Sequence, residues 1–189
     1  MRKIFSFQVT SVDGYYEGPN QEFDWPIVDE EFNQFALQQL DEADTLFGRV
    51  TYQLMASYWP TPAAEQDDPK VAAKMNELQK LVVSRTLEDP TPAWADTRLI
   101  RDDVAGELTK LKQQPGDDIV IMGSSALTVS LLDEGLVDEL RIMVNPVALG
   151  AGKSLFHTAR NRIGLTLRQA RPFNSGNVLL QYQPVDRRS

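Results

Sequence analysis

The chain has 189 residues and a mass of 21.3 kDa, and hydrophobic residues make up 42% of it. This composition is typical of a globular protein, and the length suits one domain over residues 1–189. The net charge of −8 and the pI near 4.7 argue against binding to nucleic acid or to an anionic membrane, since both need basic contacts.

The chain contains no cysteine and a single histidine, His157. These counts exclude a disulfide framework, a thiolate metal site and a centre built from several histidines, so we expect no metal. The N-terminus lacks the apolar core of a signal peptide, and no apolar run reaches the roughly 20 residues of a membrane span. The sequence therefore predicts a soluble cytoplasmic protein.

Predicted strands and helices alternate from the N-terminus. Alternating apolar and polar residues predict a strand from Ile4 to Val12, which Asp13-Gly14 ends. Apolar residues at helical spacing predict a helix from Asp29 to Leu40. A short apolar run predicts a strand at Thr45–Gly48, and the next helix is expected to start within Arg49–Tyr52.

The middle of the chain follows the same alternation. Residues 60–70 are rich in proline and aspartate and are predicted to form a polar surface loop, with a helix after it to about Gln79. A strand is predicted at Leu81–Ser84 and a loop from Pro90 to Trp94. Apolar positions on one face predict a helix at Asp103–Gln113.

The last third contains the clearest strand–turn–helix unit. A strand at Asp118–Met122 leads through Gly123-Ser124-Ser125 into a helix at Ala126–Asp133, and Leu140–Val144 is a further strand. Two more strands are expected around residues 164–169 and 178–182. The alternation predicts an α/β fold with a mainly parallel sheet, whose last two strands pair as an antiparallel hairpin.

The turn at Gly123-Ser124-Ser125 is the first candidate binding site. Small residues between a buried strand and a helix let backbone N–H groups approach a phosphate, and the helix N-terminus adds partial positive charge. The turn lacks the full G-x-G-x-x-G pattern. An ordinary tight turn, with Ser124 or Ser125 as the helix cap, is the alternative.

A second glycine-rich segment, Gly150-Ala151-Gly152-Lys153-Ser154, is similar to the end of the phosphate-binding pattern G-x-x-x-x-G-K-[ST]. The first glycine of that pattern would fall at Val147, and the segment before Gly150 is too bulky to enclose phosphates. We therefore interpret it as a glycine loop after a strand.

Two arginines follow short apolar strands, in Gly48-Arg49-x-Thr51 and in Ser84-Arg85. Parallel strands end at a common edge of the sheet, where ligands of open α/β folds bind. The planar guanidinium matches phosphate geometry, which favours a 2′-phosphate site and hence NADPH over NADH. For either arginine taken singly, a solvated strand end is the alternative.

The motifs also fall in a familiar order. Ser11-Val12-Asp13-Gly14, Gly48-Arg49-x-Thr51, Val83-Ser84-Arg85 and a nearly ungapped stretch from Gly123 to Phe156 follow one another along the chain. In this order they resemble the reductase domain of bacterial riboflavin biosynthesis, the RibD C-terminal domain type, which is related to dihydrofolate reductase. The similarity spans essentially the whole chain and is closest to single-domain members that carry no deaminase.

The resemblance implies a dihydrofolate-reductase-like three-layer fold: a mostly parallel sheet of about eight strands, an antiparallel C-terminal strand, and helices on both faces. It also implies that NADPH lies across the strand ends. It assigns Gly48, Arg49, Thr51, Ser84 and Arg85 to the adenosine and its 2′-phosphate, Gly123, Ser124, Ser125 and Ala126 to the pyrophosphate, and Val9 and Tyr16 to the nicotinamide.

The resemblance further implies where substrate and catalytic groups lie. It matches Asp13 to a substrate-contacting aspartate, and it leaves either Asp29 or Glu30 as the carboxylate that dihydrofolate reductases carry early in their first helix. The side chains of Met55, Tyr58 and Trp59 are expected to form an apolar pocket wall, and for Tyr58 and Trp59 core packing is the alternative. No arginine matches the one that binds the folate glutamate, and no basic cluster suits a ribose phosphate.

The sequence thus predicts an NADPH-dependent reductase of a small pyrimidine- or pteridine-like heterocycle, most like the 5-amino-6-(5-phosphoribosylamino)uracil reductase of riboflavin biosynthesis. The alternatives are a nucleotide-binding protein of the same fold without turnover, and a dihydrofolate or xenobiotic reductase. Because residues 142–144 and 146–149 resemble segments that relatives use in pairing, we expect a homodimer.

Overall fold

The structure, a computed structural model, describes residues 1–88 and 94–185. Its helices and strands follow the chain in this order: β1 (Ile4–Ser11), β2 (Tyr15–Glu17), α1 (Glu30–Asp41), β3 (Ala43–Gly48), α2 (Arg49–Tyr58), α3 (Pro62–Asp67), α4 (Pro69–Glu77), β4 (Lys80–Val83), β5 (Thr97–Ile100), α5 (Val104–Gln113), β6 (Asp118–Met122), α6 (Ser125–Asp133), β7 (Glu139–Asn145), β8 (Lys153–Ser154), β9 (Leu165–Pro172) and β10 (Val178–Pro184). The loop predicted at Pro90–Trp94 lies outside the described residues apart from Trp94.

Eight of the strands form one sheet in the order β5-β4-β3-β6-β1-β7-β10-β9. The six strands from β5 to β7 run parallel, whereas β10 is antiparallel to both β7 and β9. Strands β2 and β8 pair separately, beyond the end of β1. The predicted fold class, a mostly parallel eight-stranded sheet with an antiparallel C-terminal strand, is confirmed.

Alternate residues of the central strands point to opposite faces of the sheet, and each face is covered by helices. On one face, Leu46 of β3 packs with Leu108 of α5 and Leu131 of α6. On the other face, Phe47 packs with Tyr52 of α2, in a cluster that also receives α1 and α4. The sheet is therefore buried on both sides, as parallel sheets require.

The polar loop predicted over residues 60–70 is wrong, because this segment forms α3 and the start of α4. The side-chain oxygen of Thr61 accepts from the amide of Ala64, and that of Asp68 accepts from the amide of Val71. In both helices the residue after the cap is a proline, whose missing N–H costs nothing in the first helical turn. The sequence prediction is wrong here because a capping residue followed by proline also occurs in turns.

Three short strands were not predicted: β2, β5 and β8. Strand β5 has only four residues, and the pattern Thr-Arg-Leu-Ile alternates too briefly to be distinguished from a loop. Strands β2 and β8 have three and two residues and exist only because they pair with each other.

No helix within residues 1–88 and 94–185 is long and apolar enough to cross a membrane. These residues also contain no group of three or more His, Asp or Glu side chains placed to hold a metal ion.

The fold predicts that the same substitution, leucine to alanine, has different effects on stability at Leu46 and Leu54. Leu46 is fully buried between β3 and the helices α5 and α6, whereas Leu54 on α2 is 63% exposed. We expect Leu46→Ala to lower the free energy of unfolding by about 2–5 kcal/mol, because it leaves a cavity. Leu54→Ala should change it by less than about 0.5 kcal/mol. Urea denaturation of both variants measures this, and equal losses would contradict the packing described above.

Candidate functional site

The parallel strands β3, β4, β6, β1 and β7 end at one edge of the sheet, which we call the carboxyl edge. Gly48, Ser84, Gly123, Ser11 and Asn145 mark the ends of these strands. The two glycines belong to neighbouring strands, because β3 pairs directly with β6. The predicted phosphate-contacting junctions are therefore adjacent in space.

The hydroxyl of Ser124 joins the two junctions. It accepts a hydrogen bond from the amide of Gly48 (2.8 Å) and donates one to the hydroxyl of Thr51 (2.8 Å). The contact is close enough that a Cβ at Gly48 would lie 3.2 Å from the Ser124 oxygen. The turn before α6 thus fixes the turn before α2, and the two helices start side by side.

The backbone of the second junction is held in an uncommon conformation. Gly123 and Ser124 have φ values of +58° and +51°, a left-handed region that costs a non-glycine residue about 1–2 kcal/mol. The buried side chain of Gln8 stabilises it by donating to the carbonyl of Gly123 (2.5 Å) and to the hydroxyl of Ser6 (2.7 Å). Strain held by a buried polar network is typical of a ligand-binding turn.

Helix capping distinguishes these two helices from the others. In α1, α3, α4 and α5 a side chain accepts a hydrogen bond from the first turn; the caps are Asp29, Thr61, Asp68 and Asp103. Helices α2 and α6 have no side-chain cap, since Gly48 has no side chain and the Ser124 hydroxyl is engaged elsewhere. Their first-turn amides lie together at the carboxyl edge, where they can bind anionic oxygens.

Three arginines surround the ends of β3, β4 and β5. Arg49 is exposed and donates to the Gln53 side chain (3.1 Å), and Arg85 lies one residue beyond Ser84. Arg101, which the sequence prediction missed because β5 was missed, donates to the carbonyls of Arg85 (3.3 Å) and Glu88 (2.6 Å). The Ser84 hydroxyl faces inward and accepts from the amides that follow it.

The two carboxylates predicted at the start of α1 have different surroundings. Asp29 caps the helix by accepting from the amide of Phe32 (2.8 Å). Glu30 is exposed and accepts from Gln34 one turn later (3.3 Å). Asp29 is partly buried, and its Oδ1 is occupied by the amide of Phe32.

Asp13 fastens the loop after β7 to the end of β1. Its carboxylate accepts from the hydroxyl of Ser11 (2.6 Å) and from the amides of Gly150 (2.8 Å) and Leu149 (3.1 Å). The hydrogen bond from Ser11, followed by that from Gly150, lowers the pKa of Asp13 to about 2. A group with this pKa stays ionised at neutral pH and is a poor proton donor.

Apolar side chains lie near the carboxyl edge on the face of the sheet that α1 covers. Val9 of β1 and Met122 of β6 are partly exposed, and Phe32 of α1 belongs to the same cluster. Met55 and Trp59 of α2 pack against the neighbouring cluster, and the Trp59 indole N–H points at the Met55 sulfur (3.1 Å). Both side chains are partly exposed.

The remaining predicted residues lie on α2, β2 and α6. Tyr58 is on the exposed side of α2 and donates to Asp67 (2.9 Å). Tyr16 lies on β2, where its ring stands 5.9 Å from the ring of His157. Ser125 and Ala126 form the first turn of α6, next to Ser124.

Two buried asparagines that the sequence prediction missed hold the loop before α1. Asn145 accepts from the amide of Ile27 (2.8 Å), and Asn177 donates to the carbonyl of the same residue (2.9 Å). Both side chains are almost fully buried, at 1% and 0% exposure. They fix the position of the loop at the ends of β7 and β10, and only the folded chain brings them together.

A cavity of about 520 Å³ lies at the opposite edge of the sheet, among residues such as Lys3, Asp138 and Arg168. It lies beside the C-terminal end of α6, whereas α2 and α6 both start at the carboxyl edge. Its lining mixes both signs of charge, and Asp138 there is already paired with Lys112 (2.6 Å). We therefore place the candidate site at the carboxyl edge.

The sequence model of the RibD C-terminal domain matches residues 2–179. The chain belongs to the RibD C-terminal domain family. Its relatives include the Bacillus subtilis (strain 168) protein YyaP, which is 35% identical over 185 residues, covering 96% of this chain and 94% of YyaP.

Solved structures share the fold of the RibD C-terminal domain family. A putative riboflavin biosynthesis protein from Shewanella sp. PV-4 superposes with a TM-score of 0.74 at 22% identity, over 97% of this chain and 99% of that one. A pyrimidine reductase-like protein from Corynebacterium diphtheriae gives 0.69 at 12% identity, over 98% and 92%.

A two-activity enzyme from Thermotoga maritima also superposes. It is a diaminohydroxyphosphoribosylaminopyrimidine deaminase/5-amino-6-(5-phosphoribosylamino)uracil reductase, with a TM-score of 0.69 at 16% identity. The match covers 97% of this chain and 57% of the Thermotoga chain, so the present chain spans somewhat more than half of that enzyme. At these identities the likeness establishes the fold.

The hydrogen bonds of Asp13 predict its titration. We expect a pKa of about 2 rather than the ordinary 3.8, because Ser11 and Gly150 stabilise the ionised form. The stabilisation is then present above about pH 4 and is lost as the pH falls through 2. Carbon-13 NMR of the side-chain carboxyl measures the midpoint. Ser11→Ala should raise it, and a wild-type midpoint near 3.8 would contradict the contact.

Proposed function

We propose that this chain is an NADPH-dependent reductase that transfers a hydride to a small pyrimidine- or pteridine-like molecule. Membership of the RibD C-terminal domain family supports a reductase. The observation that carries the cofactor assignment is the pair of uncapped helix starts, α2 and α6, side by side at the carboxyl edge. Two sets of free amides suit the two phosphates of a dinucleotide.

The residues at the carboxyl edge suit one orientation of bound NADPH, with its adenosine end at β3 and β4 and its nicotinamide at β1. The amides of α6 from Ser125 would bind the pyrophosphate, with the first turn of α2 beside them. Arg49 and Arg85 would bind the 2′-phosphate at the β3–β4 end, where the guanidinium group matches the charge and shape of a phosphate. The nicotinamide would then lie over Val9, beside the apolar side chains of Met122 and Phe32.

NADPH, when bound, supplies the hydride, which carries two electrons and one hydrogen to an electrophilic carbon of the acceptor. A proton must also reach the reduced acceptor. Asp13 is held ionised and Asp29 accepts from the α1 backbone, so we assign these carboxylates to positioning and expect solvent to supply the proton. The chain's main contribution is to hold the two rings together in the geometry that hydride transfer requires.

Replacing Arg49 tests the cofactor assignment. We expect Arg49→Ala to weaken NADPH binding by about tenfold or more, the value of one charged hydrogen bond, and to leave NADH binding nearly unchanged. Arg98→Ala is the matched control. Arg98 is exposed near the start of β5, away from the carboxyl edge, and it pairs with Glu107 (2.7 Å). Calorimetric titration gives all four affinities. Equal losses for both cofactors would remove Arg49 from the 2′-phosphate site.

We also propose that the chain is cytoplasmic and forms a homodimer. Of the segment 142–144, Met143 is fully buried under α1, so it cannot contact a partner. Val144 points to the other face of the sheet, together with Val178 and Leu180 of β10, and all three are partly exposed. Among the described residues, no helix contributes to the cluster packed on this part of the sheet, which makes it the better surface for pairing.

Light scattering tests the dimer. We expect a mass close to twice the 21.3 kDa of one chain, and we expect Leu180→Glu to lower it to that of one chain while the circular dichroism spectrum is unchanged. A single-chain mass for the unmodified protein over a wide dilution range would refute pairing.

A further inference from the structure

Three polar side chains of β1 are buried in the middle of the sheet. Ser6, Gln8 and Thr10 are 0%, 2% and 2% exposed, and their spacing of two residues puts them on the same face of the strand. Strand β1 has a parallel neighbour on each side, β6 and β7. A central parallel strand is usually apolar on both faces, because a buried polar group is costly unless it is hydrogen-bonded. The hydrogen bonds of Gln8 therefore indicate what this side chain contributes.

The side-chain nitrogen of Gln8 contacts three acceptors. It donates to the carbonyl of Gly123 (2.5 Å) and to the hydroxyls of Ser6 (2.7 Å) and Thr128 (3.0 Å). The two hydroxyls also bond to each other (2.8 Å). Because a backbone carbonyl only accepts, the NH2 group of Gln8 must face Gly123, which fixes the orientation of the side-chain amide. This network joins the middle of β1 to the turn before α6.

Strand β1 holds both polar groups of the Gly123 backbone. The Gly123 amide donates to the carbonyl of Phe7 (3.1 Å), and the Gly123 carbonyl accepts from the Gln8 side chain. Gly123 and Ser124, which follows it, both have positive φ. Without the Gln8 contact only the amide side of Gly123 would be held, and the peptide unit between Gly123 and Ser124 could rotate. Gln8 thus supplies the contact that fixes this peptide unit.

The same contact determines the direction of the next amide. The Gly123 carbonyl and the Ser124 N–H belong to one peptide unit, which is planar and trans. The two groups of a trans unit point in opposite directions, so the Ser124 N–H points away from Gln8. Within residues 1–88 and 94–185 no group accepts from this N–H, and Ser124 is partly exposed. The amide is therefore available to donate to a ligand at the carboxyl edge.

We propose that Gln8 is a positioning residue that directs the Ser124 amide at the pyrophosphate of the bound cofactor. The identity of the cofactor rests on the proposed function, whereas the direction of the amide rests on the contacts of Gln8. A donor that is already fixed binds a charged oxygen more tightly than one that must first be ordered. Since Gln8 is buried, its effect reaches the cofactor through the peptide unit between Gly123 and Ser124.

Replacing Gln8 tests this positioning role. Methionine has nearly the same length but no N–H, so Gln8→Met removes the donor and keeps most of the packing. Gln8→Asn is a second variant, whose shorter side-chain amide should not reach the Gly123 carbonyl. Gln39→Met is the matched control. Gln39 on α1 is also buried, at 4% exposure, and its side chain accepts from Arg141 (3.1 Å) on the other face of the sheet.

Three ligands separate the parts of the cofactor. They are NADPH, ADP, which carries a diphosphate without the 2′-phosphate, and adenosine 2′-monophosphate, which carries no diphosphate. In calorimetric titrations of the whole chain, we expect both Gln8 variants to bind NADPH and ADP about tenfold more weakly, the effect of losing one hydrogen bond to a charged group. Binding of adenosine 2′-monophosphate should stay within about twofold. Gln39→Met should leave all three affinities within about twofold.

Unchanged ADP binding in both Gln8 variants would overturn the proposal. An equal loss for adenosine 2′-monophosphate would also overturn it, because a role in general stability would weaken all three ligands alike. A wild-type chain that binds ADP but not NADPH would contradict the proposed function, and weaker ADP binding in the Gln8 variants would then still support this inference. A wild-type chain that binds none of the three would contradict both.

Nitrogen-15 NMR without ligand gives an independent readout. We expect Gln8→Met to produce its largest amide shifts, with exchange broadening, at Gly123 and Ser124, because the peptide unit between them is released. The same spectra show whether each variant is folded. Sharp and unshifted resonances at Gly123 and Ser124 in a folded variant would show that Gln8 does not hold the turn.

Discussion

The hydroxyl of Ser124 connects the two halves of the candidate site. By accepting from the Gly48 amide and donating to Thr51, it joins the ends of β3 and β6 and leaves both following helices without a side-chain cap. The buried side chain of Gln8 donates to the neighbouring carbonyl of Gly123, so a second hydrogen bond stabilises the left-handed turn. Four other helices satisfy their first turns with their own side chains, and these two present their amides at the edge where ligands of such sheets bind.

Charge is unevenly distributed along the chain. Arg49, Arg85 and Arg101 lie at the ends of β3, β4 and β5, the region suited to a phosphorylated cofactor. Between Lys3 and Lys70, thirteen residues are Asp or Glu and only Arg49 is basic. The net charge of −8 therefore arises from this stretch, and an anionic cofactor must be held by local donors that work against the overall charge.

The fold was largely predictable because its long elements carry strong patterns. Buried strands such as Asp118–Met122 and the amphipathic helix at Asp103–Gln113 need only local periodicity to be recognised. The segment at 60–70 was predicted incorrectly because proline after a capping residue marks both turns and helix starts. At the site, the sequence indicated which junctions approach phosphate but not that the Ser124 hydroxyl binds the Gly48 amide rather than an amide of its own helix. The roles of Asn145, Asn177 and Arg101 depend on contacts across the fold, which no local pattern encodes. The scarcity of basic residues between Lys3 and Lys70, by contrast, is visible in the sequence.

Amide chemical-shift mapping tests the central claim most directly. The protein labelled with nitrogen-15 would be titrated with NADPH while the backbone amide resonances are followed. We expect the largest shifts in the first turns of α2 and α6, from Arg49 and from Ser125, and at Gly123 between them. Shifts confined to the cavity at the opposite edge, or no shifts at saturating NADPH, would contradict the assignment of these two helix starts as the cofactor site.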